Sequence, residues 1–179
     1  MALVLRSENA VRQSMPRRPR HYTPNLVYHV LNRGARRAAL FDNSEEYAAF
    51  EHVLVEATQR VPIRLLAYCA MQTHWHLVLW PETVTQMPRF MHWMTTTHAQ
   101  RWHARRKTAG TGPVYQGRYK AVGVHSERRV LRVCRYVEAQ CSERRTGVPR
   151  RRMAMVQPVA AVQFLRRWTS WRLAGSNTR

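Results

Sequence analysis

The segment from Ile63 to Trp80, IRLLAYCAMQTHWHLVLW, restricts the fold more than any other part of the chain. Two runs rich in Leu, Val, Tyr and Trp flank a polar Gln72-Thr73 pair, and Pro62 precedes the first. That pattern predicts a hairpin with strands over 63–71 and 74–80. A strand directs side chains i and i+2 to one face. His74 and His76 should therefore project side by side, with Trp75 projecting the other way. Parallel imidazoles at this spacing suit a bidentate metal site. Nine histidines in the chain make a chance pair unsurprising, so the pair alone leaves core packing open.

The flanking sequence supplies the other layers. LVYHVLNRG has strand composition and ends on the Asn32-Arg33-Gly34 turn signal. FDNSEEYAAFEHVLVEATQR opens with Asn43 three residues ahead of Glu46, a capping-box-like start, and its apolar residues then recur at helical spacing. A second helix is predicted through QMPRFMHWMTTTHAQRWHARRK, with Met87, Phe90, Met91, Met94 and His98 on one stripe. VYQGRYKAVGVHS reads as a fourth strand, and Ser126 can cap a helix through about Ser142. The order β-α-β-β-α-β predicts an α+β, ferredoxin-like (RRM-like) antiparallel sheet, with an additional helix at its C-terminal end.

Domain organisation follows from the same pass. Residues 1–21 form a basic, Pro-containing arm in which Met15 offers an alternative start, residues 22–148 form the folded unit, and 149–179 form a basic extension with a short helix in VAAVQFLRRWTSWRL. No run of about 18 apolar residues is present, and MALVLRSENA is too short for a signal-peptide core, so a cytoplasmic protein without membrane contact is expected. Cys69, Cys134 and Cys141 form no C-x-x-C pair and are expected to be buried, reduced thiols.

Charge narrows the partner. Thirty Lys plus Arg against ten Asp plus Glu give a formal +20, and all but Lys107 and Lys120 of the thirty are arginine. Such a surface attracts polyanions by counterion release, and arginine's planar fork suits phosphate. Nucleic acid is favoured over a membrane surface, since there is no amphipathic basic helix with an aromatic face. Arg17, Arg18, Arg20, Arg118 and Lys120 are candidate phosphate contacts.

The last predicted helix, SERRVLRVCRYVEAQCS, places Val130, Val133, Cys134, Val137 and Cys141 on an apolar face. Tyr136 and Gln140 lie one turn apart beside that stripe, with Arg129 and Arg132 preceding them on the same side. If this face packs against the strand side carrying the imidazoles, His74, His76 and the Gln140 carbonyl could hold a divalent cation beside Tyr136, with Arg132 as a phosphate clamp. An amphipathic helix with solvated arginines would account for the same residues. Tyr115 and Tyr119 are expected to pack or to touch nucleic acid, and His29 to be a satisfied core histidine, although it could line the site.

The chain resembles the HUH tyrosine transposases, and among them the REP-associated tyrosine transposases. The similar segments are MPRRPRHYTPNLVYHVLNRGARRAALF, LLAYCAMQTHWHLVLW, RFMHWMTTTHAQRWHAR, GPVYQGRYKAVGV and RYVEAQ, collinear over residues 15–148. The resemblance implies that His74 and His76 are metal ligands, that Gln140 is the third, and that Tyr136 forms a 5′-phosphotyrosine link to single-stranded DNA. It implies Mg²⁺ or Mn²⁺ as cofactor, hairpin DNA as substrate, and a ferredoxin-like sheet with an added tyrosine-bearing helix. The chain departs from the family pattern in MQT before His74, where Met-Pro-Asn is usual, and in QCSERRTGV after the helix. A monomer and a homodimer are both compatible with these features. A non-catalytic, domesticated DNA-binding regulator would use the same sheet and basic arm without the chemistry.

Overall fold

The computed structural model describes residues 20–140. Residues 1–19 and 141–179 lie outside them, and with them Arg17, Arg18, Met15, Cys141, all of the basic arm before Arg20, and the expected C-terminal helix. The described elements run β1 (Val27–Arg33), a 3₁₀ turn (Ala35–Arg37), α1 (Ser44–Arg60), β2 (Arg64–Met71), β3 (His74–Trp80), α2 (Gln86–Arg106), β4 (Lys120–Val124) and α3 (Glu127–Gln140). The sheet order is β2-β3-β1-β4 with every neighbouring pair antiparallel, which is the ferredoxin-like arrangement.

Local chemistry sets these boundaries. Asn43 caps α1 by accepting from the Glu46 N–H at 3.0 Å, while the Glu46 carboxylate reaches back to the Asp42 N–H at 2.7 Å. Val61 and Pro62 end the helix. The hairpin between β2 and β3 pairs Met71 with His74 across the Gln72-Thr73 turn. Helices α1 and α2 are tied by Arg101–Glu56 at 2.7 Å, Arg105–Glu45 at 3.3 Å, and Arg106 to Glu46 and Asp42 at 2.7 and 2.8 Å.

Both faces of the sheet are covered. On one side Trp75, Leu77 and Leu79 of β3 pack with Phe41, Phe50, Phe90, Met91 and Met94 under α1 and α2. On the other, Val78 and Trp80 join Val27, Leu66, Cys69 and Met71 beneath Val130 and Val137 of α3. Double coverage explains why β3 reads as a continuous apolar run after His76, since from Trp75 to Trp80 both sets of alternate side chains are buried.

The fourth strand is shorter than VYQGRYKAVGVHS suggests, because only Lys120–Val124 pairs with β1. Val114 and Tyr115 are buried, and Tyr115 makes an isolated bridge to Gly34. Its hydroxyl accepts from the Trp75 indole N–H at 3.2 Å and is hydrogen-bonded to His98 Nδ1 at 2.6 Å. Those core bonds divert the segment from the sheet ladder. Cys69 is disulfide-bonded, which corrects the expectation of reduced thiols for that residue, and Cys134 is free.

Burial pulls His98 from 6.5 down to about 4, so the Tyr115 bond is made to a neutral ring. As pH falls below 6.5 the unfolded chain takes up a proton that the folded chain refuses until about 4. Stability from this group is therefore complete above 6.5 and declines through that window, by up to about 3 kcal/mol. Thermal melts should show a melting temperature falling over this range, and falling less in His98→Gln, which keeps a hydrogen-bonding amide for Tyr115 but does not titrate.

Candidate functional site

Helix α3 crosses the sheet face opposite α1 and α2, lying on β2 and β3. Val130 and Val137 anchor it, with Val133 and Cys134 packed alongside. This seating leaves Tyr136 on the flank of the apolar stripe, 49% exposed. Its ring stands edge-on to two imidazoles, with centroids 6.3 Å from His76 and 6.4 Å from His29. The strand and helix segments singled out in the sequence thus meet at one place.

The imidazoles form a connected group. His74 and His76 share a strand face with ring centroids 5.1 Å apart. His29 is opposite Val78 in the β1–β3 register, so it sits diagonally from His76 on the same face. Its Nε2 lies 2.9 Å from His76 Nδ1, and the two rings stack at 5.1 Å and 21°. The Thr73 hydroxyl lies 3.1 Å from His74 Nδ1. Burial pulls His76 down to about 4, with the neighbouring His29 and His74 adding to the effect, and burial also lowers His29. His76 is therefore a neutral imidazole at physiological pH.

These observations bear on metal binding. Both rings have Nδ1 engaged, so Nε2 is the nitrogen each would offer a cation, and a neutral imidazole is the form that ligates. Among the described residues no three His, Cys, Asp or Glu side chains form a metal-holding group. Gln140 supplies an amide, half-buried at the end of α3, one turn beyond Tyr136. Its tie to the imidazoles rests on that spacing. A donor set of two imidazoles and an amide fits a divalent cation.

The basic candidates divide. Arg129 and Arg132 are exposed on the Tyr136 flank of α3, and Arg118 and Lys120 are exposed at the start of β4. Arg20 is half-buried, with its guanidinium 4.4 Å above the Tyr119 ring and bonded to the Tyr119 carbonyl, while the Tyr119 and Tyr22 hydroxyls are 2.8 Å apart. Arg20 thus fastens the chain ahead of β1 onto the segment ahead of β4. His29 is the site-lining residue that sequence reasoning undervalued. Its partner is set by the β1–β3 register, and no local pattern encodes that.

Residues 22–140 match the IS200-like transposase family over most of the chain. The chain belongs to that family. Among solved structures, this transposase is similar to a REP-associated tyrosine transposase bound to a REP hairpin, with a TM-score of 0.52 and 14% identity over 72% of this chain and 74% of that one. A candidate transposase from Deinococcus radiodurans R1 aligns with a TM-score of 0.46 and 20% identity over 70% of this chain and 98% of that one. The first of these shows a shared fold. No curated protein matches the chain. Among the described residues no helix of the transposase is long and apolar enough to cross a membrane.

Proposed function

We propose that this transposase cleaves and rejoins single-stranded DNA flanking a hairpin, with Tyr136 as nucleophile and His74, His76 and Gln140 holding Mg²⁺ or Mn²⁺. The observation that carries this reading is the Tyr136 ring seated against His76, on the strand face that also bears His74. A bound cation would neutralise charge on the phosphate and on the departing oxygen. The similarity to a hairpin-bound REP-associated transposase supports hairpin DNA as the substrate class.

The protein's own groups then have defined tasks. The Tyr136 oxygen attacks phosphorus, the P–O3′ bond breaks, and the phenolic proton ends, in net terms, on the released 3′ oxygen. The product is a 5′-phosphotyrosine that conserves the ester, so a 3′-hydroxyl can reverse the attack and reseal a strand without a nucleotide cofactor. Arg129 and Arg132, exposed on the preceding turns of α3, face the same flank and can hold the phosphate. His29 orients His76. With the shared proton on His76 Nδ1 and donated to His29 Nε2, His76 Nε2 keeps its lone pair for the cation.

That orienting task predicts a metal phenotype. His29→Leu should weaken Mn²⁺ binding by about 10–100-fold in an EPR titration, and His29→Gln, which retains an acceptor, should recover part of the loss. Equal affinity in wild type and His29→Leu would remove His29 from this role.

The function is tested by incubating the protein with hairpin DNA labelled 3′ of the cleavage site, with Mn²⁺ or Mg²⁺ and with EDTA. The reading expects label retained on protein through SDS electrophoresis, only with metal. Cleavage that releases all label would indicate water as nucleophile, and binding without cleavage would indicate a DNA-binding regulator.

A further inference from the structure

The loop between β1 and α1 contains a pair of arginines in an unusual backbone conformation. Arg36 and Arg37 have φ of +52° and +62°, the left-handed region that residues with a β-carbon rarely occupy. The loop is held there from several sides. The Gly34 N–H donates to the Thr73 carbonyl at 2.8 Å, Ala35 to Val114 at 2.8 Å, and Leu40 to Gln72 at 2.7 Å. A β-carbon on Gly34 would lie 2.2 Å from the Ala38 carbonyl oxygen, so only glycine closes this turn. These bonds over-determine the loop and hold the strain at two successive arginines whose side chains are exposed, and strain held in this way clusters at ligand clamps.

Its position gives the constraint a use. Arg33 is paired with His74 in the β1–β3 register, and Gly34 is bonded to Thr73, so the loop sits on the turn from which the imidazole strand departs. The segment carrying Arg118 adjoins it, because Gln116 N–H donates to the Arg33 carbonyl at 3.0 Å and the Asn32 amide donates to the Gly117 carbonyl at 3.2 Å. Neither Arg33–Phe41 nor Lys107–Ser126 contains an acidic residue. Asp42, the nearest acid in sequence, is held by Arg106 at 2.8 Å. Arg101, Arg105 and Arg106 of α2 are neutralised by carboxylates of α1, whereas among the described residues Arg36 and Arg37 meet none.

We infer that the Gly34–Ala39 loop is a phosphate-binding site for a single-stranded DNA backbone, gripping it through Arg36 and Arg37 beside the imidazole site, with Arg118 on the adjoining segment. The inference rests on the DNA-cleaving function proposed above. It adds a clamp on the strand that neither the tyrosine helix nor the metal ligands supply.

The test is fluorescence anisotropy with a labelled single-stranded oligodeoxynucleotide, in EDTA and on a Tyr136→Phe background, across a range of KCl concentrations. Asparagine tolerates the left-handed region, so Arg36→Asn/Arg37→Asn removes charge without moving the loop. Loss of two phosphate contacts should lower the salt-dependence slope by about 1.4, at about 0.7 per contact, and weaken binding at low salt by tenfold or more. Arg36→Lys/Arg37→Lys should keep most of the slope, and Arg60→Gln/Arg89→Gln on α1 and α2 should change it by less than half as much. An unchanged slope in the asparagine variant overturns the inference, as does an equal fall in the lysine variant or in the α1/α2 control. Adduct formation on Tyr136 is scored separately in the otherwise wild-type protein. A normal adduct with an unchanged slope removes the clamp alone, whereas a normal clamp without an adduct removes the tyrosine chemistry alone.

Discussion

His76→Ala is expected to abolish metal-supported strand cleavage, with single-turnover rates falling about a thousandfold or more. A Lewis acid contributes several kcal/mol of charge stabilisation at a phosphoryl centre, and each 1.36 kcal/mol is a factor of about ten in rate. Removing His76 deletes one of the two proposed imidazole donors and leaves His29 Nε2 facing a void where it now meets His76 Nδ1 at 2.9 Å. Mn²⁺ binding followed by EPR should fall in parallel. His74→Ala should behave similarly, since the two rings share the strand face. The fold should survive both changes, because the apolar contacts that seat α3 are made by other residues. Cleavage at the wild-type rate in either variant would show that these imidazoles do not hold the metal.

The residue between them should fail in the opposite way. Trp75 is fully buried, stacks near Phe50 at 6.2 Å, meets Tyr115 edge-on at 6.1 Å, and donates its indole N–H to the Tyr115 hydroxyl. Trp75→Ala should cost about 3–5 kcal/mol from lost burial and the cavity left behind. For a domain whose total stability is about 5–15 kcal/mol, that is a large share. Urea denaturation should show the midpoint falling sharply, with any remaining folded fraction still binding Mn²⁺. A change below about 1 kcal/mol would mean that Trp75 is not the central packing element of this face. Adjacent residues of one strand thus separate stability from chemistry by pointing to opposite sides.

Much of this arrangement was legible in the sequence where the encoding is local. The Asn43–Glu46 cap, the Gln72-Thr73 turn and the apolar stripe of α3 are short-range patterns, and each stands where its spacing predicts. The ferredoxin-like order follows because each element's period is clear. Local composition failed at Val114–Tyr119, where β-forming residues leave the ladder because Tyr115 has stronger partners in Trp75 and His98. It failed again at Arg20, which reads as a free basic arm residue but stacks on Tyr119, 99 positions away. His29 shows the limit most clearly. Its pairing with His76 depends on strand register, which the β1 sequence does not carry. The strained conformation of Arg36 and Arg37 is likewise imposed from outside, by bonds to the hairpin turn and to Val114.

The central claim is that Tyr136 and the imidazole pair are one catalytic unit. Peptide mapping of protein incubated with Mn²⁺ and hairpin DNA tests it most directly. The account predicts a nucleotide adduct on the peptide containing Tyr136, formed by wild type, absent with EDTA and absent from Tyr136→Phe. An adduct on another residue, or Tyr136→Phe cleaving and retaining DNA as wild type does, would contradict it.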